Sequence, residues 1–358
     1  MDFERERDSK LPIRVGIAGL GRAAIFEHIP ELLAMPGKFQ ITAVCDLLKF
    51  RRDHVEALCP GVKLYRRVED MLDDPDIDLI DICTRSQDHV EHAMASLKRG
   101  RWTLLESPMA LSQEAALGLR AQAVLSRDRL IVRHPGAFDC DFHLARKVLD
   151  DKRLGDIYDI KVRRCDYLRR DDWQSVRKCG GGIQFYALPD ILLQAMALLR
   201  MPPVKMWAEL KHIASLGDAP DYAHIVLRTR TQLTADVVAS GAAVPPYGPS
   251  FEISGSRGIF TAMPGASEGL IRAINPESDL PRRRCSVRTP PLDDMREDLD
   301  FVEFPVSLDE EEKKQCGRAA FWEAVWKAIR TAEYFPATLD DSIEVLRPID
   351  IIGKTAQK

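Results

Sequence analysis

Short apolar runs alternate with helix-like segments through the first third of the chain. The run Ile13–Ala18 is β-rich and short enough for a buried parallel strand, and a helix-forming segment follows at Ile25–Met35. The same alternation predicts strands at 41–45, 62–65, 78–83, 102–106 and 130–132, and helices at 51–59, 68–73, 89–99 and 113–126. Strands separated by helices are typical of parallel βαβ units. We therefore predict an α/β domain with a doubly wound sheet over residues 1–135.

From about residue 138 the pattern changes to alternating apolar and polar positions. It predicts strands at 158–164, 205–212, 222–228, 232–239, 250–254 and 258–262, and helices at 142–150, 183–199, 317–332 and 340–352. Such strands fit an antiparallel sheet with one face toward water. We predict an α+β domain with a mostly antiparallel open sheet over residues 136–358, with one or two edge strands among the loops of 263–316. The last helix is expected to pack back on the N-terminal domain.

A glycine-rich turn with the pattern G-x-G-x-x-A joins the first strand to the first helix. Gly19 permits the tight turn, Gly21 lets the backbone approach a pyrophosphate, and Ala24 keeps the helix close to the sheet. The helix N-terminus at Arg22 and Ala23 offers unpaired N–H groups and a positive dipole end to phosphates. Glycine-rich turns also occur for packing alone, but the flanking strand and helix favour a dinucleotide site.

Asp46 closes the second predicted strand, where the fingerprint expects an acid roughly 20 residues after the glycines. A carboxylate at this point accepts hydrogen bonds from a ribose 2′-OH, which favours NAD. Three basic residues follow at Lys49, Arg51 and Arg52, where a 2′-phosphate would lie. They either admit NADP or form a solvated helix face. NAD is therefore the predicted cofactor, with NADP as the alternative.

Composition narrows the class of protein. The 358 residues carry a net charge of −4, with 45% hydrophobic and 30% charged residues, which describes a globular protein with a substantial core. The chain has no excess of basic residues of the kind that binds nucleic acid. Met1–Lys10 is mostly charged and no apolar run approaches the roughly 20 residues of a membrane span, so neither a secretory signal nor a membrane segment is expected. The eight cysteines lack metal-site spacing, and we expect free thiols in the cytoplasm and no metal.

Several motifs in order along the chain carry a resemblance to a known family. They are Gly16–Gly21, Ala43–Asp46, Thr84 with His89, Glu106–Pro108, Leu154–Ile157, Gly180–Gly182, Ile253–Gly258, and Phe335 and Pro336 with Asp341. From about Ile13 to Ile352 the chain resembles the Gfo/Idh/MocA oxidoreductases, the group of glucose–fructose oxidoreductase and inositol dehydrogenase. The resemblance implies an N-terminal Rossmann domain and a C-terminal domain whose open sheet forms a homodimer or homotetramer interface.

The chain departs from that family at the residues that handle protons. The Glu-Lys-Pro motif reads Glu106-Ser107-Pro108, so the lysine is absent. The family's aspartate and histidine after the triple glycine are Tyr186 and Asp190, and a further aspartate is Leu193. A positioned acid or base is worth roughly 10²–10⁴-fold when a hydride and a proton move together. Tyr186, Asp190 and Ser107 are thus the candidate catalytic residues. Alternatively, Tyr186 is a wall residue and Asp190 now serves only binding.

Tyr186 and Asp190 lie four residues apart, so on one helix they project from the same face and could share a hydrogen bond. Thr84, His89 and Glu106 are expected near the nicotinamide. His89 alternatively only begins a helix, and Glu106 alternatively pairs with a backbone N–H. Three cations on strands bordering the predicted cleft are further candidates: Arg133, His134 and Lys161.

A polar loop before the triple glycine contains an aromatic ring and a cation, Trp173 and Arg177. Both suit a sugar or an anionic sugar derivative, although such a loop could also only cover the domain junction.

Two functions of different class fit these observations. The first is an NAD(P)-dependent oxidoreductase acting on a sugar, polyol or sugar derivative, with an atypical acid/base set. The second is a catalytically silent relative that binds a dinucleotide or metabolite as a sensor or partner subunit. The intact cofactor fingerprint favours the first and the replaced proton machinery favours the second. We predict the oxidoreductase, with a small-molecule substrate and without nucleic-acid or membrane partners.

Overall fold

The computed structural model describes residues 11–278 and 299–355 of the chain. It contains a six-stranded sheet in the N-terminal part and an eight-stranded sheet in the C-terminal part. The predicted fold class is confirmed: the first sheet is parallel and of the Rossmann type, and the second is mostly antiparallel.

The first sheet has the strand order β3-β2-β1-β4-β5-β6. Its strands are β1 (Ile13–Ala18), β2 (Phe39–Cys45), β3 (Lys63–Tyr65), β4 (Leu79–Ile82), β5 (Trp102–Glu106) and β6 (Leu130–Arg133). This is the order of doubly wound dinucleotide-binding sheets, in which the order reverses beside β1. The reversal leaves a crevice at the carboxyl ends of the strands, and the glycine turn after β1 lies at that edge.

Helices connect consecutive strands of this sheet. They are α1 (Ile29–Leu33), α2 (Lys49–Leu58), α3 (Val68–Leu72), α4 (His89–Lys98) and α5 (Gln113–Leu125). A π-helical turn, Ala24–His28, precedes α1, so the first predicted helix is not uniform. A π turn inserts an extra residue into a helix and is frequent at functional sites. Here it ends on His28, which is 0% exposed.

The second sheet has the order β14-β13-β12-β11-β7-β10-β9-β8. Its strands are β7 (Ile157–Cys165), β8 (Lys205–Lys211), β9 (Tyr222–Arg228), β10 (Thr234–Ser240), β11 (Phe251–Gly255), β12 (Gly258–Ala262), β13 (Glu268–Ile274) and β14 (Phe301–Ser307). β7 and β10 run parallel. The helices of this region are α6 (Cys140–Lys147), α7 (Ile183–Tyr186) and α8 (Leu188–Leu199). α6 and α8 pack on one face of the sheet, over buried positions such as Ile160 and Val162.

The opposite face of the second sheet is partly exposed and carries polar pairs. Lys161, which alternates with the buried residues of β7, pairs with Glu252 on β11. His224 lies 3.0 Å from Asp236 across β9 and β10, and the exposed Trp207 packs edge-on against His224. The structure therefore places Lys161 on the open face of the sheet, and its expected place beside the cleft is wrong.

Four helices follow the second sheet: α9 (Glu310–Lys313), α10 (Gly317–Arg330), α11 (Leu339–Glu344) and α12 (Leu346–Thr355). Of these, α10, α11 and α12 return to the first sheet and its helices. α10 packs on α1, and Trp322 Nε1 donates to Glu31 at 2.7 Å. α11 and α12 pack on α5, and the Gln113 N–H donates to Asp350 at 2.9 Å. The domain boundary at residues 135 and 136 stays a prediction.

Two predicted helices are interrupted, each near a proline. The expected helix 183–199 is divided into α7 and α8 at Ala187, whose φ of −126° is not helical. Pro189 has no N–H to donate to the preceding turn, and its ring crowds the carbonyl there. Pro348 has the same effect where the expected helix 340–352 is divided into α11 and α12. The first interruption separates two predicted catalytic residues.

One described segment, residues 177–199, has the length and apolar composition that could cross a membrane. However, 72% of its most apolar window is buried inside the protein. This burial is what a core helix shows, since α8 packs between the second sheet and the turn after β6.

Candidate active site

The glycine turn after β1 has the geometry that a dinucleotide needs. Gly19 has a φ of +89°, and a Cβ there would lie 2.7 Å from the carbonyl oxygen of Cys83, so the position requires glycine. A Cβ on Gly21 would meet nothing within 4 Å, so a ligand has room to approach the backbone. Arg22 and Ala23 begin the helical winding directly after the turn.

Asp46 ties the glycine turn to the end of β2. Its Oδ2 accepts the Leu20 N–H at 2.9 Å and its Oδ1 accepts the Leu48 N–H at 2.8 Å. The guanidinium of Arg51 lies 3.3 Å from Oδ2. The neighbouring Lys49 instead pairs with Asp53 at 2.8 Å. Arg51 is thus the basic side chain that contacts the carboxylate expected to bind the ribose.

Thr84 and His89 lie in the segment that follows β4. The Thr84 hydroxyl is 3.1 Å from His92 Nδ1. The His89 ring lies between two backbone carbonyls, that of Pro108 at 2.9 Å and that of Thr84 at 3.1 Å, and is 1% exposed. Burial lowers the pKa of His89, although the hydrogen bonds to the two carbonyls oppose this shift. His89 therefore holds the segments after β4 and β5 together, and its contact with the cofactor stays a prediction.

Glu106, at the end of β5, belongs to a buried ionic cluster. Its Oε1 accepts hydrogen bonds from His28 Nε2 at 2.7 Å and from Arg133 at 2.9 Å. His28 Nδ1 donates to Asp81 at 2.7 Å. Since both ring nitrogens donate to carboxylates, His28 is an imidazolium. Burial opposes this charge, but Asp81 raises the pKa of His28 well above its usual range.

The same cluster keeps Glu106 ionised. Burial alone would raise its pKa, but the guanidinium of Arg133 and the hydrogen bond from His28 lower the pKa of Glu106 to about 2. Within residues 11–278 and 299–355, Glu106 Oε2 has no hydrogen-bond partner, which leaves one carboxylate oxygen for a ligand.

Cys83 completes a set of metal-type side chains with His28 and Asp81. Its Sγ lies 3.4 Å from His28 Nδ1, and the three residues are buried. Burial raises the pKa of Cys83 to about 12, so it is a thiol. Within this set, His28 Nδ1 and Asp81 Oδ2 are joined by a hydrogen bond of 2.7 Å.

The structure does not bring Tyr186 and Asp190 together. α7 ends at Tyr186, so the two side chains do not share one helical face. The Arg170 guanidinium lies over the Tyr186 ring, 4.5 Å from its centroid. Burial raises the pKa of Tyr186, although Arg170 opposes the shift. Asp190 instead bonds His134 Nδ1 at 2.9 Å. The expected hydrogen bond between Tyr186 and Asp190 is wrong because Pro189 interrupts the helix.

Asp190 is part of a polar network that runs from α11 to β7. His134 lies directly after β6. Its Nε2 is 3.1 Å from the Ser342 hydroxyl, and its Nδ1 is hydrogen-bonded to Asp190. Asp190 Oδ2 lies 3.8 Å from Arg164 Nη1. Arg164 Nη2 donates to Asp139 Oδ2 at 3.1 Å. The carboxyl end of the first sheet is thereby connected to a carboxylate of the second domain.

Asp139 lines a cavity of about 210 Å³ between the start of α6, the end of β7 and α8. The cavity contains carboxylates, guanidinium groups, an amide, a hydroxyl and a phenol. The side chains that contribute them are Asp139, Asp141, Arg163, Arg164, Gln194, Ser250 and Tyr247. The rest of the lining is largely apolar and includes Ile191, Phe251 and Pro264, so the cavity suits a small molecule that combines hydroxyl groups with apolar ring faces.

The loop before the triple glycine reaches the glycine turn. Asp172 in that loop pairs with Arg22 and lies 3.3 Å from Arg170. Trp173 follows in a 3₁₀ turn, and Arg177 Nε donates to the backbone carbonyl of Asp218 at 2.8 Å. The loop that carries the two predicted substrate residues is thus held against the predicted cofactor site.

Ser107 is half-buried after Glu106 and, in the described part of the chain, forms no hydrogen bond.

Four residues of this region were not predicted from the sequence: His28, Asp139, Arg164 and Gln194. Arg133 and His134 could be predicted because Arg133 ends β6, just as Glu106 ends β5, and His134 follows directly. Asp139 has no comparable local pattern.

The comparison with known proteins agrees with this architecture. Residues 13–134 match the model of the oxidoreductase family GFO_IDH_MocA, described as an NAD-binding Rossmann fold. Residues 142–261 match the GFO/IDH/MocA C-terminal domain. The chain belongs to the Gfo/Idh/MocA oxidoreductase family, as the resemblance of its motifs indicated. Its first domain is an NAD-binding Rossmann domain, so the predicted cofactor class is confirmed.

Among its relatives is the scyllo-inositol 2-dehydrogenase (NADP(+)) IolW of Bacillus subtilis, which is 27% identical over 271 residues, 75% of this chain and 74% of the relative. The uncharacterized oxidoreductase YdgJ of Escherichia coli is 28% identical over 254 residues, 69% of this chain and 70% of the relative.

Two solved structures share the fold over nearly the whole chain. The NAD-binding protein from Listeria innocua has a TM-score of 0.79 at 18% identity, covering 97% of both chains. The WlbA dehydrogenase from Bordetella pertussis, in complex with NADH and UDP-GlcNAcA, has a TM-score of 0.75 at 17% identity, covering 97% of this chain and 96% of that one.

Proposed function

We propose that the protein is an NAD(P)-dependent dehydrogenase of a sugar, polyol or sugar derivative. In this reaction a hydride passes between nicotinamide C4 and a substrate carbon that carries a hydroxyl or keto oxygen. The observation that carries the proposal is the glycine turn: Gly19 has the positive φ, and Gly21 the open approach, that a pyrophosphate requires. This turn lies in a domain of a family that binds NAD.

The residues at the crevice suit each part of the cofactor. The N–H groups at Arg22 and Ala23 would hold the pyrophosphate, and Asp46 the adenosine ribose. On the nicotinamide side, Glu106 has a charged oxygen left for a ribose hydroxyl. Thr84 and His89 belong to the same strand-end region. When bound, the dinucleotide supplies the group that exchanges the hydride.

NAD is the cofactor we infer, with NADP as the alternative. Asp46 favours a free 2′-OH because a phosphate beside its carboxylate would be repelled. The name of the Bacillus subtilis relative specifies NADP, and Arg51 is close enough to Asp46 to meet a 2′-phosphate. The relative affinities for the two dinucleotides therefore test this assignment directly.

The substrate class is inferred from the cavity and from the relatives. The cavity beside Asp139 is small, and its lining combines polar side chains with apolar ones such as Ile191 and Phe251. One relative is named for the oxidation of scyllo-inositol, a cyclic polyol. Trp173 and Arg177 are proposed to contact the substrate from the loop held by the Arg22–Asp172 ion pair. Together these features favour a ring-shaped molecule with several hydroxyl groups.

For the proton, the sequence nominates Tyr186, Asp190 and Ser107. Burial raises the pKa of Tyr186, so its phenol is a weaker acid than a free tyrosine, but it can still donate a hydrogen bond to a substrate oxygen. Ser107 can hydrogen-bond a substrate oxygen but cannot replace the charge of a lysine. Asp190 would act through Arg164 and His134, which it contacts.

A catalytically silent dinucleotide-binding relative is the second candidate. The observation that favours it is that Asp190 is 9% exposed and already bonded to His134, so it is poorly placed to reach a substrate. In either case we propose a cytoplasmic homodimer or homotetramer. The open face of the second sheet, with the exposed Trp207 and Tyr158, supports the self-association.

Calorimetric titration with NAD(H) and NADP(H) is the first test. Wild type is compared with Gly21→Trp, which fills the pyrophosphate approach, and with Gly37→Trp, a glycine in equally open space on an exposed turn. We expect binding to wild type and Gly37→Trp and its loss in Gly21→Trp. If neither dinucleotide binds at millimolar concentration, the oxidoreductase proposal fails. Binding without turnover across a panel of sugars and cyclic polyols would establish the silent relative.

A further inference from the structure

Asp139 has one carboxylate oxygen fixed and one left for a ligand. Its Oδ2 accepts both Arg164 Nη2 and Gln194 Nε2, each at 3.1 Å. Its Oδ1 has no hydrogen-bond partner in the ranges 11–278 and 299–355. The side chain is 35% exposed and lines the cavity of about 210 Å³. The hydrogen bonds to Oδ2 therefore orient the carboxylate and leave Oδ1 available to a ligand.

The surroundings of Asp139 favour an exchangeable proton. Burial is the main cause that raises the pKa of Asp139 to about 6, and the nearby Asp141 and Asp190 add to the shift while Arg164 opposes it. A carboxylate that titrates near neutral pH can accept a proton in one direction and return it in the other. When two carboxylates lie in different environments, one often has a structural role while the other exchanges the proton.

The other acidic groups around the cavity are already committed. Asp141 is buried and accepts the Ser250 hydroxyl at 2.6 Å and the Phe142 N–H at 3.1 Å. Asp190 is nearly fully buried between His134 and Arg164. Asp139 is therefore the cavity carboxylate that combines exposure with an unbonded oxygen.

We propose that Asp139 is the general acid/base of the dehydrogenase, in place of the motif lysine that Ser107 replaces. In the oxidation, the C–H bond breaks and its electron pair leaves as the hydride accepted by the oxidised nicotinamide. The substrate O–H bond breaks as the C=O bond forms, and the proton goes to Asp139 Oδ1. In the reduction, the Asp139 carboxyl returns that proton to the alkoxide oxygen. This inference rests on the proposed function.

Three variants test it on the purified full chain with NAD⁺ and the best polyol of the panel. Asp139→Asn cannot accept a proton, and we expect kcat to fall by about 10²–10⁴-fold. The acid limb of the kcat/KM profile near pH 6 should disappear, while the Kd for NAD⁺ changes less than about twofold. Asp139→Glu should recover part of the rate. Asp150→Asn, at an exposed Asp–Arg pair outside the cavity, is the matched control and should behave as wild type.

Gln194→Met provides a second, independent test. The Gln194 amide lowers the pKa of Asp139, so its removal should move the acid limb to higher pH without abolishing turnover. A merely structural role of Asp139 would leave the position of that limb unchanged.

The outcomes separate the two proposals. If Asp139→Asn keeps the acid limb and more than a tenth of kcat, the assignment of Asp139 is overturned while the dehydrogenase stands. If wild type binds NAD⁺ but oxidises no polyol, the proposed function fails and the role of Asp139 fails with it.

Discussion

The imidazolium of His28 donates a hydrogen bond to Glu106 at 2.7 Å, which links the π turn behind the glycines to the end of β5. Its second nitrogen donates to Asp81 in the buried strand β4. Glu106, which begins the Glu-Ser-Pro motif, is therefore oriented by the charged side chain of His28 at the end of the π turn. In this chain Glu106 keeps an ionised carboxylate although the lysine beside it has been lost.

Replacing His28 by leucine should destabilise the protein by about 3–5 kcal/mol, because two buried carboxylates would lose their shared cation. The free energy of unfolding, measured by denaturant titration, checks this value. His54→Leu, at an exposed histidine of α2, is the matched control and should cost less than about 1 kcal/mol. A loss below about 1 kcal/mol in His28→Leu would show that the cluster does not depend on the imidazolium.

The pH dependence of stability should also report on this cluster. The folded-state pKa of Glu106, about 2, lies below its unfolded value of roughly 4.3, so its contribution is complete above that value and is lost as the pH falls toward 2. His28 has a raised pKa, so its contribution is complete below roughly pH 6.5 and is lost as the pH rises through the folded value. The cluster is therefore most stabilising between about pH 4.5 and 6.5.

Glu106→Gln isolates the acid side of that window. We expect a shallower loss of unfolding free energy between about pH 4.5 and 2 than in wild type, by up to about 3 kcal/mol over the range. Glu91→Gln, at an exposed acid of α4, should leave the slope unchanged. Equal slopes in wild type and Glu106→Gln would contradict the lowered pKa.

Much of the fold could be predicted from the sequence because its signals are local. The strands Ile13–Ala18, Trp102–Glu106, Tyr222–Arg228 and Gly258–Ala262 lie where the hydrophobic pattern predicts them. The glycine turn is equally local, since a positive φ and a close approach select glycine at fixed spacing. Pro189 is visible in the sequence too, but apolar periodicity continues on both sides of it, so periodicity alone predicts one continuous helix.

The site could be predicted only in part, because its polar contacts join distant segments. His28 meets Glu106 across 78 residues, and His134 meets Ser342 across 208. Asp139 is distinguished by its burial and by its neighbours Arg164 and Asp190. These properties depend on tertiary packing, and no spacing in the sequence encodes them.

Asp172 should restrain cofactor binding through its ion pair with Arg22. In Asp172→Asn, Arg22 is released beside the N–H groups that we propose to hold the pyrophosphate, so we expect NAD⁺ to bind several-fold more tightly. The pair is partly exposed, and stability should change by less than about 1 kcal/mol. Calorimetry compares this variant with Asp171→Asn, which removes the same charge from an exposed neighbour. Equal affinities in the two variants would argue against a specific role of the ion pair.

The preference between the two dinucleotides should be set at Asp46. Its carboxylate is the group that we propose to bind the adenosine ribose, and Arg51 lies 3.3 Å from it. In Asp46→Ser the negative charge is removed, Arg51 becomes free to meet a 2′-phosphate, and the hydroxyl can still accept one backbone N–H. We expect the ratio of Kd for NADP⁺ to Kd for NAD⁺ to fall by about tenfold, which corresponds to about 1.4 kcal/mol.

Asp53→Ser removes the same charge from the Lys49 pair on α2 and is the matched control, because Lys49 does not contact Asp46. Its Kd ratio should stay within about twofold of wild type. If Asp46→Ser leaves the ratio unchanged while Arg51→Ala weakens NADP⁺ alone, the arginine and not the carboxylate sets the preference. Since Asp46 also accepts the Leu20 and Leu48 N–H groups, thermal unfolding of each variant shows whether the glycine turn itself has been disturbed.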